Sequence, residues 1–171
     1  LGGTCLRLIH ENKRFSEGLD FDNFNLSAAD FEVVSTVIST ELKNEGYEVE
    51  VKNIMRGAFH CYIRFPELLY KEGLSGYKEE KILIQLDTEP QHFNFKPARF
   101  ILNKFDVFTE IRVTPLNVLL SQKIYTAVNR KRAKGRDFFD ITFLFGRTKP
   151  DFGFLQQKLG IKTAEDLRRE V

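Results

Sequence analysis

Apolar positions recur along this chain with two different periods, and the switches between them mark out its elements. Cys5 to Glu11 reads as a short helix opened by Gly2, Gly3 and Thr4, and Leu19-Asp20-Phe21-Asp22 then alternates as a short strand. Ser27, with Asp30 three residues on, forms a variant capping box for a helix running to about Asn44, which Gly46 ends. Phe31, Val34, Ile38 and Leu42 recur at helical spacing and give that helix one face for a sheet. Tyr47 to Phe65 alternates in two segments around Arg56-Gly57, a hairpin signal, and Pro66 to Glu80 is polar loop with at most one short helix. Lys81 to Asp87 is apolar almost throughout, as expected of a central strand. Pro90 to Pro97 is loop, and Phe100 to Val113 holds one or two strands with a turn near Asp106. Pro115 opens a helix whose stripe is Leu116, Leu119, Leu120, Ile124, Ala127 and Val128, with Lys123 inside the stripe. After Gly135 a second helix puts Asp137, Asp140, Ile141 and Leu144 on one face, and Phe154 to Glu170 supplies one or two amphipathic helices.

The pattern predicts an α+β fold, a mixed sheet packed against helices and followed by C-terminal helices. It reads as one compact unit, residues 1–114 forming the sheet-bearing core and 115–171 the helical part. Composition adds bounds. At 171 residues, 42% hydrophobic and 29% charged, the chain fits an ordinary globular domain, and its 17 phenylalanines with no tryptophan predict an aromatic-rich core. No apolar run approaches the roughly 18 residues that span a bilayer, and no signal peptide precedes the first glycines, so a cytoplasmic protein without a membrane partner is expected. Cys5 and Cys61 make neither a disulfide framework nor a zinc signature, and His10, His60 and His92 lack ligand spacing. The Asn25-Leu26-Ser27 sequon matters only in a secreted protein. The net charge of +2 is too small to argue for nucleic acid. Its distribution says more: Lys123 to Arg136 holds six basic residues and no acid, whereas Ser16 to Glu32 holds five acids and no base.

The candidate chemistry lies at the start of the chain. In a strand, Asp20 and Asp22 project to one face while Leu19 and Phe21 face the other. Paired carboxylates attract a hard divalent cation, which keeps waters and takes its remaining oxygens from a phosphate-bearing substrate. Glycines at a helix N-terminus offer bare N–H groups to phosphate. Taken singly, Gly-Gly-Thr is an ordinary helix start and Asp-x-Asp a solvated edge; the two within about twenty residues point to a nucleoside triphosphate and its metal. Asp87, ending the strongest strand, is the candidate third carboxylate, with Glu89 in reserve. Lys123 on an apolar stripe needs a compensating charge or snorkels to water. Asp137 and Asp140 on an inward stripe likewise call for partners among Lys123, Arg130 and Arg136, whether for function or as a structural lock between two helices.

Gly-Gly-Thr-x-Leu followed by Arg-Phe-Ser-Glu-x-Leu-Asp-Phe-Asp closely resembles the first motif of the AbiEii/AbiGii-type nucleotidyltransferase toxins, members of the DNA polymerase β-like superfamily. The likeness extends through the lysine helix to the Arg136-Asp137-x-x-Asp140 pattern. It implies a nucleotidyltransferase-like sheet and Mg²⁺ or Mn²⁺ held by Asp20, Asp22 and Asp87. It likewise implies a nucleoside triphosphate as substrate, contacted by Gly2, Gly3, Thr4, Ser16, Lys123, Arg136, Asp137 and Asp140, with Lys123 steadying its phosphates. It further implies a toxin paired with a cognate antitoxin, acting on an RNA acceptor, tRNA in particular. The basic stretch Arg130 to Arg136 is a candidate contact for the acceptor's backbone, or a solvated helix end. Family members carry a helical region before the glycines, so an N-terminal segment is expected to be missing. One departure stands out: Gly18 occupies the place where the family commonly has an aspartate. Either the metal pair has shifted register to Asp20 and Asp22, or the site is weakened and the chain is a catalytically impaired nucleotide-, RNA- or protein-binding member of the fold.

Overall fold

The computed structural model describes residues 2–132 and 134–170; Leu1, first in the opening motif, and Ala133, within the basic stretch, lie outside them. The chain forms two compact units. One comprises Phe15–His92 together with Gly2; the other joins Gly3–Arg14 to the chain from Phe93 on. The division falls at 92/93, not at 114/115 where the strands end, and the first residues group with the C-terminal helices.

The first unit is a four-stranded mixed sheet with one covering helix. Its elements are β1 (Leu19–Asn23), α2 (Ala28–Asn44), β2 (Glu50–Arg56), β3 (Ala58–Phe65), the single-turn α3 (Leu68–Lys71) and β4 (Ile82–Pro90). The strand order is β1-β4-β3-β2, with β1 parallel to β4 and the other pairs antiparallel. The apolar β4 is therefore interior. Gly57, at φ +72°, makes the tight β2–β3 connection. The capping box of α2 forms as expected: the Ser27 hydroxyl accepts from the Asp30 N–H, and the Asp30 carboxylate accepts from the Ser27 N–H. Phe31, Cys61, Ile63 and Phe65 are the buried centre, with Ile38, Leu42, Ile82, Ile84 and Leu86 packed around them. The α2 face differs from expectation at one position. Val34 is exposed and Ser35 turns inward, because Asn53 on β2 donates to the Ser35 hydroxyl at 2.6 Å and the hydroxyl donates to the Glu32 carbonyl at 2.9 Å.

The second unit contains α1 (Gly2–Ile9, from Gly3), the hairpin β5 (Ala98–Lys104) and β6 (Val107–Val113), α4 (Leu116–Asn129), α5 (Gly135–Phe145), α6 (Phe152–Leu159) and α7 (Ala164–Glu170). Phe105 and Asp106, both at positive φ, form the hairpin turn. Leu6, Leu119, Leu120, Ile124, Leu144, Phe154 and Leu155 make its core. An aromatic-rich core does not form: Phe31, Phe65 and Phe154 are buried, but Phe100, Phe105 and Phe108 on the two-stranded hairpin and Phe138, Phe139 and Phe145 on α5 are exposed. The interior is mainly aliphatic because the helices turn their leucines and isoleucines inward and leave these rings on outer faces. Among the described residues no helix is long and apolar enough to cross a membrane.

Candidate active site: a carboxylate face and a buried ion-pair cluster

Strand alternation assigns each side of the sheet. On β3 and β4, Cys61, Ile63, Ile84 and Leu86 point toward α2, so His60, Tyr62, Gln85, Asp87 and Glu89 occupy the opposite face. The parallel register of β1 sets Asp20 beside Asp87 and Asp22 beside Glu89, so all four carboxylates share that face. Asp20 is exposed and Asp22 half-buried. Asp87 is held from two sides: His60, its neighbour across the β3–β4 pair, brings Nδ1 within 2.7 Å of Oδ1, and Gln85 Nε2 lies 2.9 Å from both Oδ1 and Oδ2. An ionised carboxylate only accepts, so Nδ1 is the nitrogen through which the His60 ring donates. Among the described residues no three His, Cys, Asp or Glu side chains converge into a ready-made metal cage. The donor set is nonetheless that of a hard cation: carboxylate oxygens from neighbouring strands, the ligand type to which such an ion adds water and phosphate oxygens.

Gly2 belongs to this face as well. Its φ is +66°, and a Cβ there would overlap the Asp20 carboxylate, so only glycine lets the backbone approach Asp20 this closely. Gly18 is different: a Cβ would meet nothing within 4 Å, and its φ is not positive. Ser16 lies half-buried in the segment leading to β1.

In the other unit, Gly3 is buried and Thr4 half-buried in α1. The two acids of α5 are both buried and both paired. Asp140, 0% exposed, accepts from Arg14 through Nε and Nη2 at 2.9 Å each, lies 3.0 Å from the Lys123 ammonium, and takes a longer 3.4 Å contact from Asn12. Burial pushes the Asp140 carboxyl up, but the Arg14 hydrogen bonds and the Lys123 charge outweigh it and hold it below the ordinary carboxylate value. Asp137 accepts from Arg130 Nη1 at 2.7 Å and from the Lys134 N–H at 3.0 Å, pinning both ends of the loop before α5. Arg136 is exposed. Of the partners expected for the acids, Lys123 and Arg130 are found. Two residues escaped the sequence reading: Arg14, 126 positions from Asp140, and His60.

Comparisons with known proteins agree with this architecture. The crystal structure of JHP933 from Helicobacter pylori superposes with a TM-score of 0.52 at 15% identity, covering 98% of this chain and 61% of that one. The chain thus spans less than two thirds of that protein. An antigenic nucleotidyltransferase-like protein from Paracoccidioides brasiliensis gives a TM-score of 0.55 at 14% identity, covering 99% of this chain and 75% of that one. At these identities the likeness concerns the fold, which is nucleotidyltransferase-like. No curated protein sequence matches. The family model described as "Nucleotidyl transferase AbiEii toxin, Type IV TA system" matches residues 2–168, nearly the whole chain, and the chain therefore belongs to the AbiEii nucleotidyltransferase toxin family.

Proposed function

We propose that the protein is a metal-dependent nucleotidyltransferase and the toxin of a toxin–antitoxin pair, moving a nucleotide from a nucleoside triphosphate to an acceptor hydroxyl on RNA, with tRNA the first acceptor to test. The observation that carries this reading is the parallel register that sets Asp20 beside Asp87 and Asp22 beside Glu89 on one sheet face. Asp20, Asp22 and Asp87 are the proposed ligands of Mg²⁺ or Mn²⁺. When bound, such ions supply charge stabilisation for pyrophosphate departure and activation of the acceptor hydroxyl. Gly2, Gly3, Thr4 and Ser16 are proposed to contact the triphosphate. Lys123 is proposed as a point charge for nucleotide phosphate, steadied by Asp140, with Arg136 and Asp137 in supporting roles.

The test is transfer of label from each nucleoside triphosphate to total RNA in the presence of Mg²⁺. Wild-type protein is expected to label RNA and Asp20→Asn to abolish labelling with its fold intact, because removing one of several crowded carboxylate charges relieves repulsion; full labelling by Asp20→Asn excludes the site. Gly18 favours a second reading, a member that binds nucleotide, RNA or a partner protein without transfer. Nucleotide-induced thermal stabilisation without label transfer supports it. Gly18→Asp then separates the alternatives: gain of transfer identifies a site weakened at residue 18, whereas an unchanged rate with a silent Gly18→Asp and a damaging Asp22→Asn identifies a shifted pair.

A further inference from the structure

Asp87 engages its neighbours unevenly, and the asymmetry assigns its two oxygens different work. An ionised carboxylate has about four acceptor positions, two on each oxygen. Oδ1 takes donors from both His60 Nδ1, at 2.7 Å, and Gln85 Nε2, at 2.9 Å, whereas Oδ2 takes only Gln85, at 2.9 Å. Oδ1 is thus committed to the protein and Oδ2 retains acceptor capacity. Both donors come from the same sheet face as the carboxylate: Gln85 is two residues back along β4 and His60 is Asp87's partner in register on β3. Each strand is backed by the α2 core, so the donors stand on rigid elements and not on loops. The His60 ring is itself oriented by stacking on Tyr62, with centroids 6.4 Å apart.

We propose that His60 and Gln85 are positioning residues that fix the Asp87 carboxylate so that Oδ2 is its single metal-facing oxygen. Hydrogen bonds to a ligating carboxylate restrict its rotation and set which lone pair it offers, and losing such a support commonly weakens metal binding tenfold or more. The inference rests on the proposed role of Asp87 as a ligand. It assigns a job to a histidine whose spacing in the sequence indicates none. With side chains about one third exposed, at 30% for His60 and 32% for Asp87, both positions tolerate replacement without opening the core.

The test uses Mn²⁺ alone as probe, with free ion counted by electron paramagnetic resonance and thermal melting followed in parallel. His60→Phe keeps a ring beside Tyr62 and removes the donor; His60→Asn places an amide N–H close to where Nδ1 stood. The expected result is about tenfold weaker Mn²⁺ binding for His60→Phe and for Gln85→Leu, near wild-type binding for His60→Asn, and unchanged melting for all three. Equal loss in His60→Phe and His60→Asn overturns the proposal by making His60 a direct ligand. Wild-type affinity in His60→Phe beside a clear loss in Asp87→Asn overturns the positioning role and leaves the proposed metal site standing. Wild-type affinity in Asp87→Asn removes Asp87 from the metal site, and the positioning role with it.

Discussion

Gly2 shows how much one missing side chain decides. Alanine there meets two obstacles, a left-handed backbone and a methyl group overlapping the Asp20 carboxylate. The first costs about 1–2 kcal/mol, and the second is relieved only by moving Asp20. Gly2→Ala is accordingly expected to lower melting modestly and Mn²⁺ affinity strongly, measured on one preparation; intact affinity would show that Asp20 need not sit where it does. Part of the carboxylate face was legible in the sequence: strand parity, a local property, puts Asp20 and Asp22 on one side, whereas Asp87 was marked only as the acid ending the strongest strand and joins them through the β1–β4 register. His60 was not. Its place beside Asp87 depends on the pairing of β3 with β4 across residues 66–81, and no local period encodes that register. Arg14 is hidden for the same reason at a longer range, since only the packing of the segment after α1 beside α5 brings it to Asp140.

Among the elements, α5 makes the most specific demand on its neighbours, because it buries two carboxylates and must have cations delivered to them. Removing one member of a fully buried ion pair costs about 3–5 kcal/mol. Arg14 and Lys123 are 20% and 17% exposed, so water screens part of the loss and Asp140→Asn is expected to cost about 2–3 kcal/mol in chemical denaturation. The pH dependence follows from the lowered carboxyl. A folded-state value below the ordinary 3.8 contributes stability that is present above that value and is lost as pH falls through the lower folded one, so the acid limb of the stability curve should flatten in Asp140→Asn. A double-mutant cycle with Lys123→Met checks the partnership; strict additivity would mean the two groups do not interact. The helix after Pro115, the hairpin around Gly57 and the interior β4 were all readable from periodicity and turn residues. The inward Ser35 was not, since it is chosen by a hydrogen bond from Asn53 and apolar spacing alone favours Val34.

At the scale of the whole molecule, the helical unit is discontinuous in sequence: Gly3–Arg14 is separated from its other members by the entire sheet unit. Leu6, at 0% exposure, lies in the same core as Leu119, Leu120 and Phe154, and Arg14 closes on Asp140. Deleting residues 1–14 therefore removes a core side chain and leaves the buried Asp140 carboxylate without its Arg14 and Asn12 donors, with Lys123 still beside it. Hydrogen exchange on such a truncated chain is expected to show protection lost from α4 and α5 while the β3–β4 amides keep theirs; uniform protection would show that the first segment contributes little. Synthesis meets the same discontinuity in time. The segment bearing Leu6 and Arg14 leaves the ribosome first but cannot join α4 and α5 in its own core until more than a hundred further residues have followed, a wait on the order of ten seconds at ordinary elongation rates. The sheet unit's residues are all synthesised during that interval, so the two separated parts of the helical unit can join only after it. A nascent chain halted before α5 carries the acidic face without the aspartate that fastens its own beginning.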